Sequence, residues 1–274
     1  MEAPDENDAA TRSGASPVSV GAASDCNTQW RRTMEDTHVF MHDFGGVQGQ
    51  TYMAVFDGHA GKFAAEWCRD HLHEYVAAEM AARPDAAIPE VFNAAFLEAD
   101  DELTRAAQSN TTRSGCTAVV ALVRDESAGE ATQRMLYVAN VGDARAVLRR
   151  GASAIRLSYD HKGSDALEIE RVMEQGGFIH ANRVNGVLAV TRSLGDHLMK
   201  DYVMGTPFTS AVRLTPEDSL LVMACDGLWD IVSDQLAVDL AAEHSATDAA
   251  ETLQRHALEN YCTDNITVLV ARFD

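Results

Sequence analysis

The chain has 274 residues, 46% of them hydrophobic and 23% charged, and carries a formal net charge of −20. That length suits one large domain with a sizeable core, and that charge opposes binding to nucleic acid or to an anionic membrane. The five cysteines (Cys26, Cys68, Cys116, Cys225 and Cys262) form no Cys-x-x-Cys pair, which points away from a zinc ribbon or a disulfide framework and toward reduced thiols in a cytosolic or nuclear protein.

Residues 1–17 are small, polar and acidic, with no basic n-region and no apolar h-region. They read as a disordered tail rather than a secretory signal, and residues 18–274 as a single domain. No apolar stretch approaches the length of a bilayer span. Residues 37–41 and 51–56 read as strands. Residues 62–82 read as a helix, with Phe63, Trp67, Leu72, Tyr75 and Met80 near 3.6 spacing, ended by Arg83-Pro84. Ile88, Val91, Phe92, Phe96 and Leu103 mark a second, antiparallel helix. Residues 116–123, 135–141 and 144–148 read as neighbouring strands, the last two joined by a tight turn at Gly142-Asp143. Residues 165–175 look helical and stop at Gly176-Gly177. The stretch 162–207, weakly periodic in its later part, reads as a surface lobe or flap. Residues 220–225 form a strong strand. Residues 235–242 and 249–260 are helical, the former capped by Ser233, and residues 266–273 close the chain as a strand. This order implies packed sheets with helices outside, not a doubly wound parallel sheet.

Acidic stations recur beside these strands: Glu35-Asp36 before one, Asp57 and Asp226 at the ends of two others, Asp143 in a turn, and Asp264-Asn265 at the start of the last. Asp-Gly alone is an ordinary turn. Several such turns, each flanked by an apolar strand, would bring carboxylates to the rim of one core. Clustered carboxylates repel unless a cation lies between them, and a hard divalent ion such as Mg²⁺ or Mn²⁺ suits an all-oxygen site. An anionic substrate would also need local positive charge against the −20 background.

Eight stretches occur in order: Arg31-Arg32-Thr33-Met34-Glu35-Asp36, Asp57-Gly58-His59-Ala60-Gly61, Ser114-Gly115-Cys116-Thr117-Ala118, Asn140-Val141-Gly142-Asp143-Ala144-Arg145, Arg183-Val184-Asn185-Gly186, Arg192-Ser193-Leu194-Gly195-Asp196, Asp226-Gly227-Leu228-Trp229-Asp230 and Asp264-Asn265-Ile266-Thr267. In these the chain resembles the metal-dependent type 2C protein serine/threonine phosphatases, over residues 18–273. Within that family it looks most like the small fungal members that restrain stress-activated MAP kinase signalling. The resemblance implies an α+β fold, a four-layer α-β-β-α sandwich of two antiparallel sheets flanked by helix pairs. It implies two Mg²⁺ or Mn²⁺ ions bridged by Asp57 and a water: one held by Asp57, Asp226 and Asp264, the other by Glu35, Asp57 and the carbonyl of Gly58. Asp143, with Asp226, matches a weaker third position. Arg31 matches the phosphate-binding arginine and His59 the general acid. The implied reaction is direct attack of the bridging hydroxide on a phosphoserine or phosphothreonine ester, without a phosphoenzyme.

Around that set, Asp36 reads as a supporting group that orients metal-bound water or His59. Gly58 reads as glycine because its carbonyl must approach a metal closely. Asp196 and Asp230 read as structural, and Trp67 and Trp229 as core aromatics. His71 and His73, two apart on a helix, face different ways and make no metal pair. Gly163 after Lys162 departs from the proline of many family members and leaves the local loop shape open. The expected partner is a phosphoprotein, with a MAP kinase implied by the finer likeness; the expected form is a monomer in the cytoplasm and nucleus. A cysteine-dependent phosphatase loop running from Cys26 to Arg32 is disfavoured, because it holds Asn27, Gln29 and Trp30 and no glycine. A non-catalytic phosphoprotein-binding module would usually lose metal ligands, whereas Glu35, Asp57, Asp226 and Asp264 are all present.

Overall fold

The computed structural model describes residues 18–129 and 131–273; the tail expected at residues 1–17 lies outside them. The elements in chain order are β1 (Val18–Asp25), β2 (Thr37–His42), β3 (Thr51–His59), α1 (Phe63–Ala82), α2 (Ile88–Ser109), β4 (Gly115–Ala128), β5 (Ala131–Val141), β6 (Arg145–Arg150), β7 (Ser153–Arg156), α3 (Ala166–Glu174), β8 (Ile179–His180), β9 (Arg183–Val184), β10 (Leu194–Gly195), β11 (Phe208–Arg213), β12 (Asp218–Ala224), α4 (Asp226–Trp229), α5 (Asp234–Ala241), α6 (Ala246–Glu259) and β13 (Ile266–Phe273). One sheet runs β1-β13-β12-β6-β7, the other β11-β5-β4-β3-β2 with β10 on β4. The named pairings within both are antiparallel.

Alternation along the strands explains the layering. Tyr52, Ala54 and Phe56 of β3 pack with α1 and α2 through Leu72, Phe92 and Phe96. Met53 and Val55, on the opposite face, join Val119, Leu221, Met223 and Leu269 between the sheets. In the other sheet Val268 and Val270 pack with Val238 and Leu253 of α5 and α6. Each central strand is thus buried on both faces. That is why it reads as a continuous apolar run although its sheet is antiparallel, where one-sided alternation is the commoner pattern. Trp67 packs on the α1–α2 core and Trp229 is buried, its Nε1 donating to the Ala224 carbonyl at 3.0 Å, as expected for core aromatics. No helix among the described residues is long and apolar enough to cross a membrane.

Three features depart from expectation. The Gly142-Asp143 turn is not a hairpin: β5 belongs to one sheet and β6 to the other, so the turn carries the chain across the sandwich. Strand β3 continues through Asp57 and Gly58 to His59, paired with Thr117, Cys116 and Gly115, so Asp57-Gly58 is extended strand rather than a turn. Strands β1, β7 and β11, which lack a long apolar run, form edges of the sheets. Strand β1 pairs over its whole length with β13, from Val18 opposite Phe273 to Asp25 opposite Ile266. Partner pairing, not its own hydrophobicity, makes it a strand. A side chain at Gly21 would run into the backbone of Ala246 and Thr247, so glycine there admits α6.

Residues 162–207 form a lobe with a small core of Val172, Val184 and Val203. Its anchor is Glu168, whose carboxylate accepts hydrogen bonds from Arg192 Nη2 (2.6 Å), Thr191 Oγ1 (2.8 Å) and Arg171 Nη2 (2.9 Å). Burial pushes its pKa up, but the bonds from Arg192, Arg171 and Thr191 outweigh that and hold it at about 2. The open question at Gly163 has a geometric answer. A side chain there would collide with the Asn182 carbonyl oxygen, so glycine lets the Asn182–Arg183 backbone cross over it.

Candidate active site

At one end of the sandwich both sheets deliver acidic residues to the same cleft, about 320 Å³ in volume. Asp57 comes from β3 and Glu35 precedes β2; Asp226 follows β12 and Asp264 precedes β13; Asp143 sits on the crossing between sheets. All five line the cleft, together with Arg31, Gly58, His59, Thr117 and the lobe residues Arg183 and Val190. Every residue expected at the site except Asp36 is among them.

One close group is Asp57, Asp143 and Asp226, each presenting an oxygen within 4.8 Å of the others. Asp143, expected only at a weaker position, belongs to this group. Asp264 stands slightly apart, ion-paired through Oδ2 with Arg31 Nη2, while Arg31 Nε donates to the Thr263 carbonyl at 3.2 Å. The Glu35 carboxylate accepts from Gly61 N–H at 3.0 Å and Thr33 Oγ1 at 3.1 Å. Burial, then the charge of Asp226 and the neighbouring Asp36, Asp143 and Asp264, push the Asp57 carboxyl well above the carboxylate range. Burial, then Asp143, Asp264 and Asp230, do the same to Asp226. Burial also raises Asp143, against the opposing charge of Lys162, whose Nζ lies 3.3 Å from Asp143 Oδ2 and 3.1 Å from Asp230 Oδ1.

Asp36 is buried beside Asp57 and Cys225, an oxygen of each carboxylate and the Cys225 sulfur lying within 4.8 Å of one another. Its pKa is pushed up to about 6, chiefly by burial. Among the described residues its Oδ2 and the Thr117 Oγ1 are buried without a hydrogen-bond partner. Such orphaned atoms are costly unless something polar serves them. Hard oxygen donors, mutual repulsion and orphaned polar atoms together fit hydrated divalent cations. The expected link between Asp36 and His59 needs correction: His59 Nε2 is instead 2.7 Å from Asp196 Oδ2. Glycine at 58 also has a packing reason. A Cβ there would strike the Glu35 carbonyl oxygen and crowd Ala65 Cβ at 3.2 Å, so the packing of the Glu35 segment against β3 and α1 already demands it.

Asn265 is a positioning residue that spacing alone did not single out. Its amide donates to the carbonyls of Cys26 (2.8 Å) and Thr33 (3.1 Å), and its Oδ1 accepts from Glu35 N–H at 2.9 Å. One side chain thereby fixes the segment carrying Arg31 and Glu35 against β13. The signal available was its place directly after Asp264, in a stretch shared with the resembling family. Cys26 does not line the cleft.

The family model for Protein phosphatase 2C matches residues 20–266. The chain belongs to the protein phosphatase 2C family. The phosphatase is 47% identical to Protein phosphatase 2C homolog 1 of Saccharomyces cerevisiae over 92% of each protein. It is 46% identical to Protein phosphatase 2C homolog 1 of Schizosaccharomyces pombe, over 92% of this chain and 72% of that one. Among solved structures, the serine-threonine phosphatase 2C from Toxoplasma gondii superposes with a TM-score of 0.79 over 96% of both chains at 22% identity, a likeness of fold. The enzyme is therefore a protein serine/threonine phosphatase of α+β fold acting on phosphoproteins, and its acidic cleft is a site that could hold the metal on which the family depends.

Proposed function

We propose that this phosphatase hydrolyses phosphoserine and phosphothreonine monoesters in the acidic cleft by direct attack of water on phosphorus, and that it opposes kinase signalling. The observation that carries this is the convergence of Glu35, Asp57, Asp143, Asp226 and Asp264 on one cleft that also holds Arg31 and His59. Asp57 would be shared by two cations. Asp226 and Asp264 would complete one site, Glu35 and the Gly58 carbonyl the other, and Asp143 with Asp226 would form a weaker third. Bound there, Mg²⁺ or Mn²⁺ supplies a Lewis acid that can lower the pKa of water from 15.7 to about 7 and offset phosphate charge. Arg31 offers a planar fork for two phosphate oxygens. His59 gives its proton to the departing seryl or threonyl oxygen, a contribution of roughly 10²–10⁴-fold. Asp36, close to Asp57, would orient cation-bound water. The finer likeness to small fungal members supports a stress-activated MAP kinase as the phosphoprotein, and the scattered, unpaired cysteines support a cytoplasmic and nuclear location; the proposed form is a monomer.

Chelation with EDTA should silence turnover of a phosphoserine peptide, and Mg²⁺ or Mn²⁺ should restore it; activity that survives exhaustive chelation rejects the metal site. His59→Ala should slow phosphoserine peptide by about 10²-fold or more and para-nitrophenyl phosphate far less, because a nitrophenolate leaves with little protonation. Equal losses on the two substrates would remove His59 as proton donor. Cys26→Ser should leave both rates nearly intact.

A further inference from the structure

His59 leans on a carboxylate that the mechanism above does not use. We propose that Asp196 is the positioning residue of His59, committing Nε2 to itself so that Nδ1 is the nitrogen left for the leaving-group oxygen. This assignment rests on His59 being the proton donor.

The geometry is built rather than incidental. His59 lines the cleft, while Asp196 is buried behind it, only 7% exposed. Their 2.7 Å hydrogen bond joins residues 137 apart in sequence. We assign the hydrogen between them to Nε2, the ring nitrogen that faces the carboxylate oxygen. Asp196 is itself held. Ser193 Oγ donates to the same Oδ2 at 2.5 Å. The preceding Gly195 N–H donates to Asp100 Oδ1 of α2 at 2.8 Å. Lys200 Nζ then ties Asp100 Oδ2 (2.6 Å) to the Ser193 carbonyl (3.0 Å). Asp196 takes a left-handed backbone conformation, φ 49°, which is uncommon for residues other than glycine and which surrounding structure must enforce.

Gly115 of β4 supplies an independent sign. A Cβ there would overlap Asp196 Oδ2 and lie 2.6 Å from His59 Nε2. The carboxylate–imidazole pair therefore lies directly over the strand, in space kept open by the missing side chain. A carboxylate that served only its own loop would be satisfied by Ser193 and would need neither the bond to His59 nor the bare glycine beneath it. The arrangement follows the general logic by which a buried carboxylate sets the tautomer and aim of a catalytic imidazole.

The test is steady-state kinetics of the metal-loaded enzyme on phosphoserine peptide and on para-nitrophenyl phosphate. Asp196→Asn should lower kcat on the peptide roughly 10–100-fold, within the range a positioned acid contributes, with KM little changed and only a few-fold loss on the aryl ester. In a His59→Ala background the same substitution should cost nothing further, since residues acting as a unit are not additive. Equal losses on both substrates, or losses that multiply in the double variant, would overturn the assignment and leave Asp196 a part of the fold. If His59→Ala alone shows no dependence on the leaving group, the proton-donor reading fails and this assignment falls with it. Should Asp196→Asn not fold, Ser193→Ala frees the carboxylate from its hydroxyl anchor and should show the same substrate split more weakly; no split there would overturn the assignment equally.

Discussion

Asp57→Asn should lower turnover by at least about 10³-fold, equivalent to about 4 kcal/mol of transition-state stabilisation, while making the chelated protein harder to unfold. Both effects have one source. Asp57 is half-buried near the end of β3, its carboxylate close to those of Asp143 and Asp226, with Asp36 and Asp264 adding to the same field. With cations bound this charge is the grip that the reaction uses; without them it is uncompensated repulsion in a low-dielectric setting. The amide keeps the shape and loses the charge, so metal affinity falls and folding gains. Turnover of a phosphoserine peptide, calorimetric titration with Mn²⁺ and a thermal melt in EDTA make the comparison. Near-wild-type turnover would reject a shared ligand at this position, and an unchanged melt would reject the repulsion.

The chelated protein should also lose stability as pH rises from about 4 to 7. Burial raises the folded-state pKa of Asp36 from 3.8 to about 6, and that of Asp57 and Asp226 well above the ordinary value. In this window the folded state binds more protons than the unfolded one, so stability falls with increasing pH. At 1.36 kcal/mol per unit, Asp36 alone accounts for about 3 kcal/mol by neutrality. Glu168 acts in the opposite sense: its folded pKa of about 2 lies below the ordinary 4.5. Its contribution is complete above 4.5 and is lost only as pH falls toward 2. Mild acid should therefore be the optimum in EDTA. Melts across pH 4 to 7.5, with and without Mn²⁺, test this: the downward slope should appear only under chelation and flatten in Asp36→Asn. A chelated protein whose stability rises with pH over that range contradicts the account.

Much of this was legible in sequence, for identifiable reasons. Central strands such as β3 and β12 are buried on both faces and so stand out as apolar runs, and α1 and α2 carry one-sided stripes. Strand β13 was read to the residue because an Asp-Asn turn and an apolar run both mark its start. The edge strand β2 was read, but β1 and β11 were not: neither has a long apolar run, and both pair with partners far away in the chain. Gly142-Asp143 read as a hairpin because local turn chemistry does not reveal that its flanking strands join different sheets. The acidic residues were found because each stands at or near an end of a strand and falls in a stretch shared with the resembling family. Asn265 and Asp196 were harder to place because their work is to hold other residues, and a hydrogen bond to His59 from across the fold leaves no periodic trace.

The crossing at Asp143 carries a wider consequence. Asp57 and Glu35 ride on one sheet, Asp226 and Asp264 on the other, and the apolar layer containing Val55, Val119, Leu221 and Met223 packs between those sheets. The catalytic centre is thus a gauge of how the halves of the sandwich are aligned. A slip too small to unfold the protein would spread the carboxylates, so damage deep in that layer would announce itself first as a weakened hold on cations.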